Sequence, residues 1–214
     1  MSTLVEMLSG VLRYFPNTMI STLFVVGIMM GRLSWVLVAL GGIVVTIGTL
    51  TIQYLLTKTI GGFDLPGDHF IKACSLLPVA QGGHYMPTPS LWIALTSFFT
   101  TYIFTNALNV YSQTPPSTQA RYTISVQQRK GVGLISTLAI IVLAVFLVVA
   151  RYMSTDCENI LGIVLGLTIG IAAGYFWWLL LDACGADVYP DIHGVMIGSK
   201  PGLLRNGPVA CAKM

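Results

Sequence analysis

The stretch ILGIVLGLTIGIAAGYFWWLLL, residues 160–181, places a glycine at every fourth position, at Gly162, Gly166, Gly170 and Gly174. In water this run would be a poor helix, because each interior glycine is about 1 kcal/mol less favourable than alanine. In a bilayer the backbone must satisfy its own hydrogen bonds, so the run is helical there. Residues four apart share one face of a helix. The glycines therefore form a groove about 18 Å long, at about 1.5 Å per residue.

These four residues, called the glycine face from here on, are a packing signal. Small residues repeated at this spacing let two membrane helices approach closely. The interpretation that we favour is packing against a neighbouring helix of the same chain. The alternative is that the glycine face lines a homo-oligomer interface or a pore.

The composition supports a membrane protein. Of the 214 residues, 55% are hydrophobic and 9% are charged, and the mean hydropathy is +0.79. Soluble domains carry roughly 25% charged residues. The net charge of +3 is small and scattered, so nucleic acid is not an expected partner.

The distribution of apolar runs predicts the fold. A spanning helix needs about 18 or more apolar residues. By this criterion we predict an all-α membrane protein, a polytopic helical bundle with about five transmembrane helices at residues 15–31, 33–57, 91–111, 132–152 and 160–181. The first run is short, so four spans is the alternative if it lies in the interface or only dips into the membrane. Residues 1–14 resemble an amphipathic surface helix.

Segments between and after the spans complete the predicted organisation. The bundle occupies residues 1–181, with a 33-residue loop at 58–90 that we place on the outer side. Residues 112–131 are polar and are expected to form an exposed connector. Residues 182–214 are a non-helical tail rich in glycine and proline, which we expect to be an ordered series of turns.

The loop charges predict the orientation. With five spans, the side that holds the N-terminus carries four Lys and Arg residues, and the opposite side carries seven. Because cytoplasmic loops are enriched in Lys and Arg, the C-terminus is predicted to be cytosolic and the N-terminus outside.

The cysteines divide between the two sides. Cys74 and Cys157 fall on outer loops, where an oxidising compartment would permit a disulfide between them. Reduced thiols at both positions are equally compatible with the sequence. Cys184 and Cys211 fall in the tail and are expected to be thiols.

A zinc site in the tail would have to use Cys184, Asp187, His193 and Cys211. These residue types suit zinc, but their spacing follows no CxxC or HxxxH pattern. We therefore predict no metal and no cofactor.

Charged residues are essentially absent from the interior of the predicted spans. Arg151 and Asp182 lie at span ends, where a long or flexible side chain can reach the interface. Asn106 and Asn109 share one face of the third span and are predicted to form interhelical hydrogen bonds. A polar permeation path along this face is the alternative.

Enzyme motifs are equally scarce. The sequence contains no GxSxG elbow, no HExxH pair and no phosphate-binding glycine loop. Asp68, His69 and His84 of the outer loop offer an acid and histidine combination for lipid chemistry. No catalytic residue is predicted, and we expect the chain not to be an enzyme.

The tail sequences DVYPDIHGVMIG (187–198), KPG (200–202) and GPVAC (207–211) carry a resemblance. They resemble uncharacterised multi-pass virion membrane proteins of nucleocytoplasmic large DNA viruses. The resemblance covers mainly the last 40 residues and implies a structural role in a viral inner membrane or capsid. It transfers no functional residue.

Together these features predict an integral membrane scaffold subunit of a larger assembly. Its expected partners are the lipid bilayer, other membrane or capsid subunits and a further copy of the chain. An oligomeric channel or small carrier is the alternative. A membrane-bound lipid enzyme is the least favoured interpretation.

Overall fold

A computed structural model describes residues 2–31, 33–60, 88–112, 126–155 and 158–184, and within these ranges the chain is helical with short turns. The five helices are α1 Ser2–Met29, α2 Leu33–Ile60, α3 Leu91–Ser112, α4 Val126–Thr155 and α5 Ile160–Ala183. Among the residues that the structure describes, the prediction of an all-helical fold is confirmed, and these residues form five helices.

Four of the helices, α2 to α5, are long and apolar enough to cross a membrane. In α1 the apolar helical stretch among the described side chains is Tyr14–Met29, which is shorter than a span. The four helices define a membrane-embedded protein. That α1 also crosses stays a prediction.

Two helices extend beyond the predicted spans. The predicted segments 1–14 and 15–31 fall in one helix, because α1 is continuous through Pro16. The last residues of the predicted connector 112–131 are helical, because α4 begins at Val126. In each case a polar or amphipathic segment extends an apolar helix, because the backbone hydrogen bonds of a helix continue beyond its membrane-embedded part.

The turn between α1 and α2 needs glycine. Gly31 has a φ of 62°, a left-handed conformation that glycine adopts without steric penalty. The Gly31 N–H donates to the Ile28 carbonyl at 3.1 Å. The helices then pack closely, since a Cβ on Gly27 would lie 2.8 Å from Cγ2 of Val36.

The third helix, α3, lies at the centre of the bundle. Of its membrane-spanning part, 61% is buried inside the protein, against 17% for α4 and 22% for α5. Its neighbours are α5, α4 and α2, with α5 making the most extensive contact. The most apolar helices therefore lie outside, and the helix richest in hydroxyl and amide side chains lies inside.

Contacts fix the directions of the helices. Ser90, before α3, bonds Gly162 near the start of α5, while a Cβ on Gly174 would meet Phe98, so α3 and α5 run parallel. Gln53 near the end of α2 bonds Pro89 before α3, so α2 runs antiparallel to α3. One end of the bundle thus gathers the end of α2, the start of α3 and the α4–α5 connection.

Candidate functional site

The glycine face of α5 lies against α3. All four of its glycines are buried. A Cβ on Gly166 would lie 2.8 Å from the Ser90 carbonyl oxygen, and one on Gly174 would lie 2.6 Å from the Phe98 carbonyl oxygen. A Cβ on Gly170 would overlap the Ala94 carbonyl oxygen and the Ser97 hydroxyl. The groove is therefore occupied by the backbone of a helix of the same chain.

Hydrogen bonds tie this seam together at its polar end. The Ser90 N–H donates to the Gly162 carbonyl at 3.0 Å. Seven residues further along the chain, the Ser97 hydroxyl donates to the Ile93 carbonyl at 2.7 Å and lies 3.4 Å from the Gly166 carbonyl. The seam thus combines backbone contact with polar contacts that only small residues on α5 permit.

Glycines of α2 close the opposite side. A Cβ on Gly41 would lie 2.7 Å from ring atoms of Phe98 and of Trp177. The Trp177 indole N–H donates to the Leu37 carbonyl at 3.1 Å. Helices α2, α3 and α5 consequently form a tightly packed core.

A second feature is a set of residues at the end of the bundle, called the polar end cluster, which are buried except for the half-buried Asn159: Gln53, Ser90, Trp92, Arg151, Glu158 and Asn159. Nε of Arg151 lies 3.4 Å from Oε1 of Glu158, and the two side chains are 1% and 0% exposed. The Arg151 guanidinium lies 5.6 Å from the centre of the Trp92 ring, within cation–π range.

Burial also affects the protonation of one member of the cluster, Glu158. It raises the pKa of Glu158 above its ordinary value of 4.5, and the Ser90 hydroxyl and the Arg151 charge oppose that rise. Desolvation disfavours the ionised form of a carboxyl group. The Glu158 side chain therefore holds its proton more tightly in the folded protein than in the unfolded chain.

Asn159 links the cluster to the start of α5. It is the N-cap residue, and its side-chain oxygen accepts a hydrogen bond from the Gly162 N–H. Its side-chain amide donates to the Thr88 hydroxyl at 2.9 Å. The Gln53 amide donates to the Pro89 carbonyl at 2.6 Å. Four segments of the chain therefore meet at this end.

The third feature is a cleft of about 270 Å³ between α3, α4 and α5, called the lateral cleft. Helices α4 and α5 are joined by a short connection, yet each packs mainly on α3. Hydroxyl residues of α3 line the cleft together with apolar residues of α4 and α5, among them Thr96, Thr100, Val145, Val148, Leu167 and Ile171. The rim is open, since Val145 and Ile171 are at least half exposed.

Only some of the predicted site residues fall within the part of the chain that the structure describes. Asn106 is buried and Asn109 half-buried on α3, and their interhelical hydrogen bonds stay a prediction. Cys184 is an exposed free thiol after α5. The remaining candidates lie outside the described residues: Asp68, His69, Cys74, His84, Cys157, Asp187, His193 and Cys211.

Arg151 is enclosed within the protein near the end of its span. Its side chain is buried, because Glu158 and Trp92 enclose it. The sequence contains one signal for this pair, a base and an acid seven residues apart across the α4–α5 connection. A charge at the end of an apolar run is equally compatible with an exposed side chain, so the pattern alone did not identify the pair.

Comparisons with known proteins found no match: no protein-family model, no curated protein and no solved structure matches this chain. The class is thus defined by the fold itself. It is a membrane-embedded helical protein whose central helix is sealed on one side by glycines.

Proposed function

We propose that this chain is a non-enzymatic structural subunit of a larger membrane assembly. The observation that carries the proposal is the seam between α3 and α5, where the glycine face leaves no room for a Cβ. Opening a permeation path would require one of these helices to move. Such a tightly packed seam opposes that movement, because packed backbones resist gradual displacement. A rigid core suits a subunit that holds its neighbours in place.

The outward faces of the bundle are the surfaces that neighbouring subunits would contact. Val142 on α4 and Phe176 on α5 are each 67% exposed. The glycine face is occupied within the chain, so contacts with a second copy or another protein would have to use these outer faces. Lipid would cover whatever the neighbouring subunits leave free.

The resemblance of the tail to virion membrane proteins suggests a setting for this assembly. A viral inner membrane or capsid is therefore part of the proposal. A cytosolic C-terminus is included on the basis of the Lys and Arg counts alone.

Site-specific photocrosslinking tests the proposal. A photoreactive amino acid is placed at Val142 or at Phe176 of the full chain in its native membrane, and adducts are identified by mass spectrometry. We expect discrete protein adducts from at least one position. The matched control is Leu147, which is 8% exposed on α4 and should give adducts within the chain. Lipid adducts alone at both outer positions would contradict the proposal.

Flux measurements address the alternatives. The purified chain in liposomes should pass ions and small solutes no faster than protein-free liposomes. Flux above that background would favour an oligomeric channel or small carrier instead. Lipid turnover that is lost in both His69→Ala and His84→Ala would favour an enzyme.

A further inference from the structure

The outward side of α2 carries a sequence pattern close to the polar end cluster. The pattern is LTIQYLLTK, residues 50–58, in which Leu50, Tyr54 and Lys58 stand four residues apart. A Leu or Val, a Tyr and a Lys or Arg in this order, separated by short gaps, form a pattern that is associated with sterol contact in membrane helices. So short a pattern occurs by chance in many sequences. Its placement in the fold therefore decides whether it forms a binding surface.

All members of the pattern lie on one outward face of α2. Residues four apart share a face of a helix. Tyr54 is 59% exposed, and Leu50 and Lys58 are exposed as well. Two exposed isoleucines, Ile43 and Ile47, continue this face towards the middle of the membrane. These five residues are called the α2 strip, and a lipid beside α2 can reach each of them.

The α2 strip meets the boundary of the hydrocarbon core at Tyr54. Gln53, the residue before it, belongs to the polar end cluster, and the apolar runs of α3 and α5 begin directly after that cluster, at Leu91 and Ile160. Tyrosine is favoured at this boundary, because its ring is apolar and its hydroxyl group is polar. Lys58 lies four residues, or about 6 Å, further out along the helix axis, at the level of the lipid headgroups.

Inwards from Tyr54 the strip is apolar and stiff. The exposed Thr51 beside it donates its hydroxyl hydrogen to the Ile47 carbonyl at 2.8 Å, so this polar group is satisfied within the helix. Isoleucine in a helix holds mainly one rotamer, so Ile43 and Ile47 lose little freedom when a lipid packs on them. A rigid ring system loses little freedom either, whereas a flexible acyl chain must be ordered at a cost. The surface therefore favours a rigid lipid.

The polar groups of the strip suit a small headgroup. A phosphate is bound best by several charged donors or by a bidentate arginine, and the α2 strip supplies one cation, Lys58. The Tyr54 hydroxyl can both donate and accept a hydrogen bond. A single hydroxyl group on the lipid has the same two capacities. Tyr54 thus matches a lipid whose headgroup is one hydroxyl.

We propose that the α2 strip binds one membrane sterol, whose ring system packs on the isoleucines and whose hydroxyl group is hydrogen-bonded to Tyr54 beside the Lys58 ammonium. This inference requires that α2 lies in a membrane, but it does not depend on the scaffold role. The crosslinking positions that test that role, Val142 and Phe176, lie on α4 and α5, so the two proposals can fail separately.

Photolabelling locates the sterol. The full protein is placed in phosphatidylcholine nanodiscs with a small amount of cholesterol that carries a diazirine in its ring system, and adducts are mapped by mass spectrometry. We expect adducts on α2 between Ile43 and Tyr54. Tyr54→Ala should lower this labelling by roughly fivefold or more, because the ring contact and the hydrogen bond are both lost. The matched control is Tyr152→Ala, which removes an exposed tyrosine at the same end of α4 and should leave the labelling of α2 unchanged.

A comparison of two epimers tests the hydrogen bond without any variant. Unlabelled cholesterol and its epimer with the hydroxyl group inverted compete with the probe on the wild-type protein. The two competitors have the same ring system, so one hydrogen bond predicts that cholesterol competes roughly two- to tenfold better. Tyr54→Phe keeps the aromatic ring and should abolish the difference.

Several results would overturn the proposal. Equal competition by the two epimers, or a difference that survives Tyr54→Phe, would remove the hydrogen bond. Displacement of the probe by phosphatidylglycerol at equal concentration would assign the strip to an anionic headgroup held by Lys58. A photoreactive amino acid at Ile47 that crosslinks to a second copy of the chain, and not to the sterol, would assign the strip to a protein contact.

Discussion

The two seams on α3 differ in the way that they are closed. On the α5 side, glycines bring two backbones into contact, and hydrogen bonds cross the seam. On the α4 side, threonines face valines across the lateral cleft, and the contact is secured by the polar end cluster. One helix thus has a tight seam along its length and a loose seam fixed mainly at one end.

This difference shows what drives packing in each place. Apolar side chains gain little from leaving lipid for protein, so close contact and hydrogen bonds hold membrane helices together. In the tight seam, the glycines have no side chains, and this allows both the close backbone contact and the hydrogen bonds. The loose seam has wide side chains that leave a gap, and at its end the Arg151 guanidinium of α4 contacts the Trp92 ring of α3.

The largest effect is expected from a methyl group in the tight seam. Gly170→Ala should lower the free energy of unfolding by more than about 3 kcal/mol, at the upper end of overpacking effects, because the Ala94 carbonyl oxygen occupies the site of the new Cβ. Denaturation with SDS in mixed micelles measures the change. Gly48→Ala is the matched control, since a Cβ there meets nothing within 4 Å. Equal stability of the two variants would disprove the tight seam.

A large but smaller effect is expected at the fixed end of the loose seam. Arg151→Ala should lower the free energy of unfolding by about 3 kcal/mol, because it leaves Glu158 buried without its cation. Arg151→Lys keeps the charge but loses the planar contact with Trp92, so it should lie between the wild type and alanine. The same denaturation assay ranks the three proteins. If Arg151→Ala were as stable as the wild type, the ion pair would not fasten α4.

The pH dependence of stability should reveal the same cluster. Because burial raises the pKa of Glu158 above 4.5, the folded protein binds this proton more tightly than the unfolded chain does. The stability from this group is complete below about pH 4.5 and is lost as the pH rises through the raised pKa. The difference in unfolding free energy between the wild type and Glu158→Gln should therefore fall between pH 4 and pH 8. A difference that increased with pH would mean that the pKa is lowered.

The smallest effect is expected from filling the loose seam. Val148→Leu adds one methylene group beside the lateral cleft and should change the free energy of unfolding by less than about 1 kcal/mol, in the stabilising direction. Gly170→Ala also enlarges a side chain, but it is expected to lower the free energy of unfolding. Destabilisation by Val148→Leu as large as that by Gly170→Ala would show that both seams are equally tight.

Much of the fold could be predicted from local patterns. Apolar run lengths located α2, α3, α4 and α5 within a few residues, except for the polar start of α4. They did so because each membrane helix satisfies its own backbone hydrogen bonds whatever its neighbours are. The four-residue period of the glycines likewise fixes a common face on α5, since it depends only on helix geometry.

The candidate sites could be predicted from the sequence much less well than the helices could. Arg151 at the end of an apolar run is compatible with an exposed or a buried side chain, because nothing nearby in the sequence shows that Trp92 lies against it. The lateral cleft depends on the relative placement of α3, α4 and α5. No periodicity in any one helix encodes that placement.

The sequence by itself determined that the chain forms apolar helices and that one of them presents a flat glycine face, because both properties are set within a single segment. Only the tertiary structure decided that α3 fills this face, that Glu158 meets Arg151 and that Thr96 lines a cleft. These are contacts between segments far apart in the chain or across a turn, and their geometry follows from how the helices pack together.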